Sequence, residues 1–217
     1  GPGHHVLEIC TGAGCETADR PAPPGGADRP TPPGLAAGAC ANTQNGTDED
    51  EVLTGTNAGD RINGLGGTDV IRGLPGDDCL SGGTHLDKLT ADAGNDRLAG
   101  GDGNDIMAGG GDNDVSTGGA GADRLKGNAG SDRMAGSRGA DRLKGGRGRD
   151  RMWGGSGNDR MAGNRGRNSL FGGAGNDRIN SVNGRRDTVN CGRGRRDRAR
   201  VDRHDVTRGC EQVTRRR

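Results

Sequence analysis

From Gly55 to Asn180 the chain repeats every nine residues, fourteen times in succession, with no insertion or deletion. A period this short and this strict points away from an ordinary globular domain. It calls for a solenoid, in which each unit is one small element that buries its apolar side only against its neighbours. The unit Gly100-Gly101-Asp102-Gly103-Asn104-Asp105-Ile106-Met107-Ala108 stands for the rest. First positions are Gly in every unit except the one opening at Ala91, and fourth positions are Gly in eleven. The sixth is Asp in thirteen, with Asn168 the exception, and the eighth is apolar in thirteen, with Ser116 the exception. Glycine-rich composition alone would not hold carboxylates and aliphatics in one phase.

Each position has a physical reason. Glycine reaches left-handed backbone without a Cβ penalty, so Gly-rich stretches make tight turns whose carbonyls point at a common centre. Carboxylates and carbonyls are hard oxygen donors, the type a calcium ion collects six to eight of. Successive strand residues face opposite sides, so the eighth residue points inward while the seventh and ninth face water. With 47 Gly, no Tyr, one Trp and one Phe in 217 residues, the inward column of Ile, Leu and Met is the only core available.

The pattern Gly-Gly-x-Gly-x-Asp-x-U-x, with U aliphatic, resembles the RTX nonapeptide repeat family, a calcium-binding β-helix type. The resemblance implies an all-β fold, a parallel β-roll (a β-helix solenoid) in which six residues form a turn, three form a short strand, and two units complete a coil. Fourteen units then give seven coils, about 33 Å at the usual strand spacing. It also implies several Ca2+ ions, each between the turn of one unit and that of the unit two further on. The implied ligands are the carboxylates of Asp60, Asp69, Asp78, Asp87, Asp96, Asp105, Asp114, Asp123, Asp132, Asp141, Asp150, Asp159 and Asp177. Backbone carbonyls of Gly101, Gly103, Gly119, Gly121, Gly155, Gly157, Gly173 and Gly175 complete the set.

The two turn rows are unequal. Asp105, Asp123, Asp141, Asp159 and Asp177 form an unbroken row, whose earlier turn carries His85 in place of Gly. The other row is interrupted at Ala91, Asp112 and Asn168, and Arg147, Arg149, Arg165 and Arg167 intrude in its late turns, so fewer ions are expected there. The apolar column is thin and stacked carboxylates repel. The chain is therefore expected to be largely disordered without calcium and to fold on binding it.

The flanks differ in kind. Residues 1–45 hold six of the eight prolines between Pro21 and Pro33 and read as a Cys-containing, Pro-rich tether. Residues 46–180 form the β-roll, opening with a degenerate unit that keeps phase through Glu51 and Leu53. Residues 181–217 read as degenerate repeats, Asp187 with Val189 and Asp197 with Ala199, and a basic C-terminal cap. The segment from Cys191 to Glu211 is similar to the tails of secreted actinobacterial β-roll proteins. Six cysteines fit an oxidising compartment and no zinc spacing. Fifteen pairings are open; Cys191 with Cys210 and Cys40 with Cys79 are favoured.

Charge is segregated although the net is +1. Residues 1–117 carry 6 basic and 19 acidic side chains, residues 118–217 carry 25 and 11. Arg124, Arg142, Arg160 and Arg178 recur every eighteen residues with Lys126 and Lys144 beside them, an outward basic face that either solubilises the rod or contacts an anionic cell-surface polymer. Trp153 and Phe171 share the ninth position one coil apart, as an aromatic contact or as a seat for the cap through Val201, Val206 and Val213.

Nothing points to catalysis. There is no His-Glu-x-x-His and no Gly-x-Ser-x-Gly elbow, and the near match Ala135-Gly136-Ser137-Arg138-Gly139 lies inside a repeat. A flat Thr/Asn ice-binding array is absent too, since third and fifth positions mix Pro75, Ala93, Asp77, Leu86 and Arg149. The reading is a secreted, monomeric, non-enzymatic calcium-binding rod without a membrane span. Its alternative is the non-catalytic repeat module of a larger secreted RTX enzyme.

Overall fold

The structure is a computed structural model that describes residues 40–216. Those residues form a parallel β-solenoid of two ten-stranded sheets and contain no helix. The odd sheet stacks β1 (Asn42–Asn45), β3 (Asp60–Leu65), β5 (Cys79–Thr84), β7 (Arg97–Asp102), β9 (Val115–Ala120), β11 (Arg133–Arg138), β13 (Arg151–Ser156), β15 (Ser169–Ala174), β17 (Thr188–Arg193) and β19 (Val206–Arg208). The even sheet stacks β2 (Val52–Thr54), β4 (Val70–Arg72), β6 (Lys88–Ala93), β8 (Ile106–Gly111), β10 (Arg124–Ala129), β12 (Arg142–Arg147), β14 (Arg160–Arg165), β16 (Arg178–Asn180), β18 (Arg198–Asp202) and β20 (Gln212–Arg216). Partners within the repeats stand eighteen residues apart, as in Leu125 with Leu143 and Met134 with Met152, which is two nonapeptides per coil.

Two features differ from the expected roll. Most strands are six residues long rather than three, because hydrogen bonding continues from the ninth position through the first three residues of the next unit. The first position packs tightly under the carboxylate, where a Cβ on Gly118 would run into Asp123, yet strands also run on past Ala91, Cys191 and Val201, which occupy the equivalent place. The ladder also has ten rungs instead of seven, on the order of 45 Å at the usual spacing. The flanks supply the extra rungs, β1 and β2 before the repeats and β17 to β20 after them.

The core is the eighth-position column. Ile62, Ile71, Leu80, Leu89, Leu98, Met107, Leu125, Met134, Leu143, Met152, Met161, Leu170 and Ile179 are all buried, and Leu53, Val189, Ala199 and Val201 extend the column at its ends. Ser116 takes the position in its own unit, buried with a hydroxyl that finds no hydrogen-bond partner. Two disulfides staple the ends. Cys40 joins Cys79 on β5, and Cys191, inside the core on β17, joins Cys210. Closing loops of 39 and 19 residues restricts the unfolded chain by roughly 3–4 kcal/mol each in the chain-entropy picture. Cys10 and Cys15 lie outside the described residues, as does most of the 1–45 tether.

Candidate metal centre

The sixth-position carboxylates form two continuous columns, one along each edge of the solenoid. In one, Asp60, Asp78, Asp96, Asp114, Asp132, Asp150, Asn168, Asp187 and Asp205 follow one another. Each backbone amide donates to the Oδ1 of the next side chain at 2.7–3.1 Å. In the other, Glu51, Asp69, Asp87, Asp105, Asp123, Asp141, Asp159, Asp177, Asp197 and Glu211 do the same at 2.7–2.9 Å. Beyond Asp60 and Glu51, which head the columns, one oxygen of every carboxylate is therefore spent on holding consecutive coils in register.

The second oxygen divides the columns into two populations. In thirteen aspartates, Asp69 to Asp159, Asp177 and Asp197 among them, Oδ2 is buried and accepts no hydrogen bond. At the ends it is satisfied. Asp60 Oδ2 accepts from the Thr56 amide at 2.6 Å and hydroxyl at 3.0 Å, Asp187 Oδ2 from Asn183 Nδ2 at 2.8 Å, and Asp205 Oδ2 from Ser181 Oγ at 2.7 Å. Glu51 is held likewise by Thr47, through its amide at 3.1 Å and hydroxyl at 2.5 Å. Asp60, read from the sequence as a ligand on the same footing as the rest, thus has its free oxygen already occupied. Thr56 stands at the second position, where the turn otherwise favours Gly, and its spacing of four residues from Asp60 was the available signal.

Burial dominates the electrostatics. It pushes Asp78, Asp87, Asp105, Asp123, Asp132, Asp150 and Asp177 up to about 6, against partial relief from the accepted amide hydrogen bond. Asp96, Asp159 and Asp187 rise to about 7 and Asp114 to about 8, where nearby carboxylates add to burial. Asp69, Asp141 and Asp197 move the same way. Burial presses Asp60 upward too, but the hydrogen bonds from Thr56 and Asn42 hold it below its ordinary value.

The turns bring backbone carbonyls close to the backbone of the next coil. The second and fourth positions adopt positive φ, as at Gly101, Gly103, Gly119 and Gly121, and also at His85 and Asp112, where glycine is missing. A Cβ on Gly119 would overlap the Gly101 carbonyl, one on Gly121 the Gly103 carbonyl, one on Gly173 the Gly155 carbonyl, and one on Gly175 the Gly157 carbonyl. Third-position carbonyls are used by the coil before, as in Gly121 N to Arg138 O at 2.9 Å and Gly157 N to Ala174 O at 2.7 Å. Those of Gly103, Gly121, Gly157 and Gly175 accept no hydrogen bond among the described residues.

This donor set fits a hard cation. No three His, Cys, Asp or Glu side chains cluster among the described residues, so an ion must draw on backbone carbonyls. Orphaned carboxylate oxygens and unused turn carbonyls are hard donors of the kind calcium takes, and the columns themselves hold no soft donor to favour zinc. Asn168 keeps its place in the column through Oδ1 but turns Nδ2, a donor, to where other units present an acceptor. Ala91, buried, carries there the methyl that the other first positions lack. Gly148 and Gly166 keep positive φ between the exposed Arg147, Arg149, Arg165 and Arg167, so the backbone of the late turns is intact.

The remaining sequence candidates lie on the outer faces. Arg124, Arg142, Arg160 and Arg178 stand in register on the even sheet with Lys126 and Lys144 beside them. Trp153 and Phe171 stack on the odd sheet with centroids 5.7 Å apart and planes at 8°. Val201 is buried in the interior under β18 and Val206 lies two rungs from Phe171, so these valines do not cover the rings.

Comparison with known families agrees with this geometry. The model of the RTX calcium-binding nonapeptide repeat matches four consecutive times, at residues 45–80, 81–116, 117–152 and 153–185. Each full copy spans four nonapeptides, hence two coils. No curated protein matches the chain significantly.

Proposed function

Because the chain belongs to the family of RTX calcium-binding nonapeptide repeats, which covers well over half of its length, we propose that it is a secreted β-roll that folds on binding calcium and then serves as a structural or adhesive module. The observation that carries this reading is the set of thirteen buried, unpartnered aspartate oxygens. A buried ionised carboxylate without a partner is costly, and thirteen of them are not sustainable in a metal-free roll at neutral pH. Calcium supplies charge neutralisation and a crosslink between neighbouring turns, so its binding free energy becomes folding free energy.

The residues proposed to hold the ions are Asp69, Asp78, Asp87, Asp96, Asp105, Asp114, Asp123, Asp132, Asp141, Asp150, Asp159 and Asp177, with the fourth-position carbonyls of Gly103, Gly121, Gly157 and Gly175 and the second-position carbonyls of Gly101, Gly119, Gly155 and Gly173. Asp197, whose second oxygen is likewise orphaned, joins them, and Asp60 is left out, since Thr56 occupies its oxygen. Two disulfides support an oxidising, extracellular setting. No helix among the described residues is long and apolar enough to cross a membrane. A solenoid composed of repeats, whose carboxylates are largely committed to the columns, supports a non-catalytic module.

Isothermal titration with calcium, paired with far-UV circular dichroism in excess chelator, tests the proposal. The expectation is several ions bound per chain, with affinities on the order of 10⁻⁴ to 10⁻³ M as in other extracellular calcium modules, and loss of the strand signal in chelator. An unchanged strand signal in chelator at neutral pH would overturn it.

A further inference from the structure

We propose that the outer face of the even sheet, from β10 to β18, is a binding surface for a linear acidic polysaccharide carrying one carboxylate per sugar, of the polyuronate type. Arg124, Arg142, Arg160, Arg178 and Arg198 occupy five consecutive rungs in direct register. Lys126, Lys144 and Arg200 lie two residues along the same strands, on the same face. All eight are exposed, and none of their side chains has a hydrogen-bond or ion-pair partner among the described residues.

Such a ladder works against the fold. Like charges directly opposite one another in a sheet repel, and rungs stand only about 4.8 Å apart. Little on the face offsets this: the other outward residues at these positions are Ala162 and Asn180, and the one carboxylate on these strands, Asp202, accepts from the Asn183 and Gly184 amides. The carboxylate columns face inward along the turns and are committed there. An external anion is the remaining source of neutralisation.

The occupant follows from what the face offers and lacks. Among the described residues the sheet faces of a second copy present no matching surface, because the seventh and ninth positions of β3 to β9 carry Arg61, Arg72, Lys88 and Arg97 among uncharged side chains, with no carboxylate, and exposed acids such as Asp48, Glu49 and Asp50 sit in turns. Single-stranded nucleic acid is held by stacking on aromatic rings. The rings here, Trp153 and Phe171, lie on the opposite sheet and stack on each other. Duplex DNA carries a charge about every 1.7 Å, denser than eight cations over five rungs, about one per 3 Å at the usual spacing. A 1,4-linked uronic acid chain advances by about one rung per sugar, and its carboxylates suit the planar fork of a guanidinium. At the C-terminal end of the ladder an open groove of about 320 Å³, lined by Arg178, Asn180, Arg198, Arg200, Gln212 and Thr214, adds amide and hydroxyl partners for sugar hydroxyls.

The test uses the full chain, saturated with calcium, and fluorescence anisotropy of labelled polygalacturonate oligomers too short to gel. Affinity should rise with oligomer length and level off once five rungs are spanned. The pair R142Q/R160Q should weaken binding at least about tenfold, in line with loss of two charge-assisted contacts. The pair R138Q/R151Q on the odd sheet should change it less than about threefold. Circular dichroism in calcium reports folding of each variant, and the single R160Q replaces the double one if that fails to fold. Equal losses from the two pairs, affinity that keeps rising with length, tighter binding of duplex DNA of equal charge, or no binding at low salt by a chain whose strand signal is intact would each overturn the proposal. Absence of the strand signal in calcium would instead sink the calcium reading beneath it.

Discussion

Acid should substitute for calcium, and the sign follows from the aspartate columns. An aspartate moved from its ordinary 3.8 to about 6, as Asp105 or Asp123 is, binds its proton more tightly in the roll than in the unfolded chain. Its contribution is fully present below the unfolded value near 3.8 and is lost as pH rises through the folded value. At 1.36 kcal/mol per pH unit, ionising one such group costs the metal-free roll roughly 3 kcal/mol, and Asp114, near 8, costs more. Three or four of them match the whole stability of a typical domain, about 5–15 kcal/mol. In excess chelator the strand signal should therefore be absent at pH 8 and return as pH falls through the window from about 7 to 5. Asp60 runs the other way, its depressed value adding stability above 3.8, but it is one group against many. In calcium the dependence reverses: ions displace protons, so the calcium midpoint should move to higher concentration as pH drops from 8 to 5.5. Far-UV circular dichroism over pH, with and without chelator, measures both. A chelated chain equally unfolded at pH 5 and pH 8, or a calcium midpoint indifferent to pH, would refute the reasoning that buried, unpartnered carboxylates govern folding.

Three further outcomes are expected. Gly118→Ala needs no unusual φ, but its Cβ would overlap Asp123 Oδ2 and stand 2.7 Å from the Gly136 carbonyl. It should cost about 1–3 kcal/mol as an overpacked site and lower the ion count by calorimetry. Asn168→Asp replaces a misdirected donor with an acceptor and should raise the ion count by at least one, with a lower calcium midpoint in the same titration. Thr56→Ala removes the hydroxyl bonded to Asp60 and to the Ala58 amide. It should cost about 1 kcal/mol, a fall of roughly 2–4 °C in Tm for a domain of this size by calorimetric melting in calcium.

The central coils were legible because one period carries two chemical requirements at once. The eighth position must be apolar to enter the core and the sixth must present a carboxylate, so the phase of Leu125 and Asp123 specifies the register of Leu125 on Leu143 and of Asp123 on Asp141. The two favoured disulfides are formed as well, Cys40 with Cys79 and Cys191 with Cys210. Strand length was not legible. It depends on whether backbone after the ninth residue keeps pairing, and the glycines there, read as turn formers, also permit an extended chain packed under a carboxylate. A second spine was hidden for a related reason: at the variable fifth position, Asp77, Asn95 and Asn113 each receive the amide of the residue eighteen further on.

A rigid nine-residue template ends at Asn180, yet the fold does not, and the difference lies in what the ladder requires. The column needs a carboxylate beneath each amide and an apolar residue two positions later, while the turn between absorbs extra length. Asn168 reaches Asp187 across nineteen residues and Asp177 reaches Asp197 across twenty, with the same hydrogen bond as at eighteen. One added residue sits in the turn around Asn183 and Gly184 and the other in the turn between Arg193 and Asp197; in the first, side chains take over the role that an ion would play: Asn183 donates to Asp187 and Ser181 to Asp205, as Thr47 and Thr56 do for Glu51 and Asp60 at the other end. Terminal coils lack a neighbour on one side and so cannot complete a two-turn cation site. Sealing their carboxylates with hydroxyl and amide donors removes the buried charge problem where calcium cannot remove it. Ions should consequently populate the interior coils and leave the ends empty, and the division between satisfied and orphaned Oδ2 atoms marks where that boundary falls.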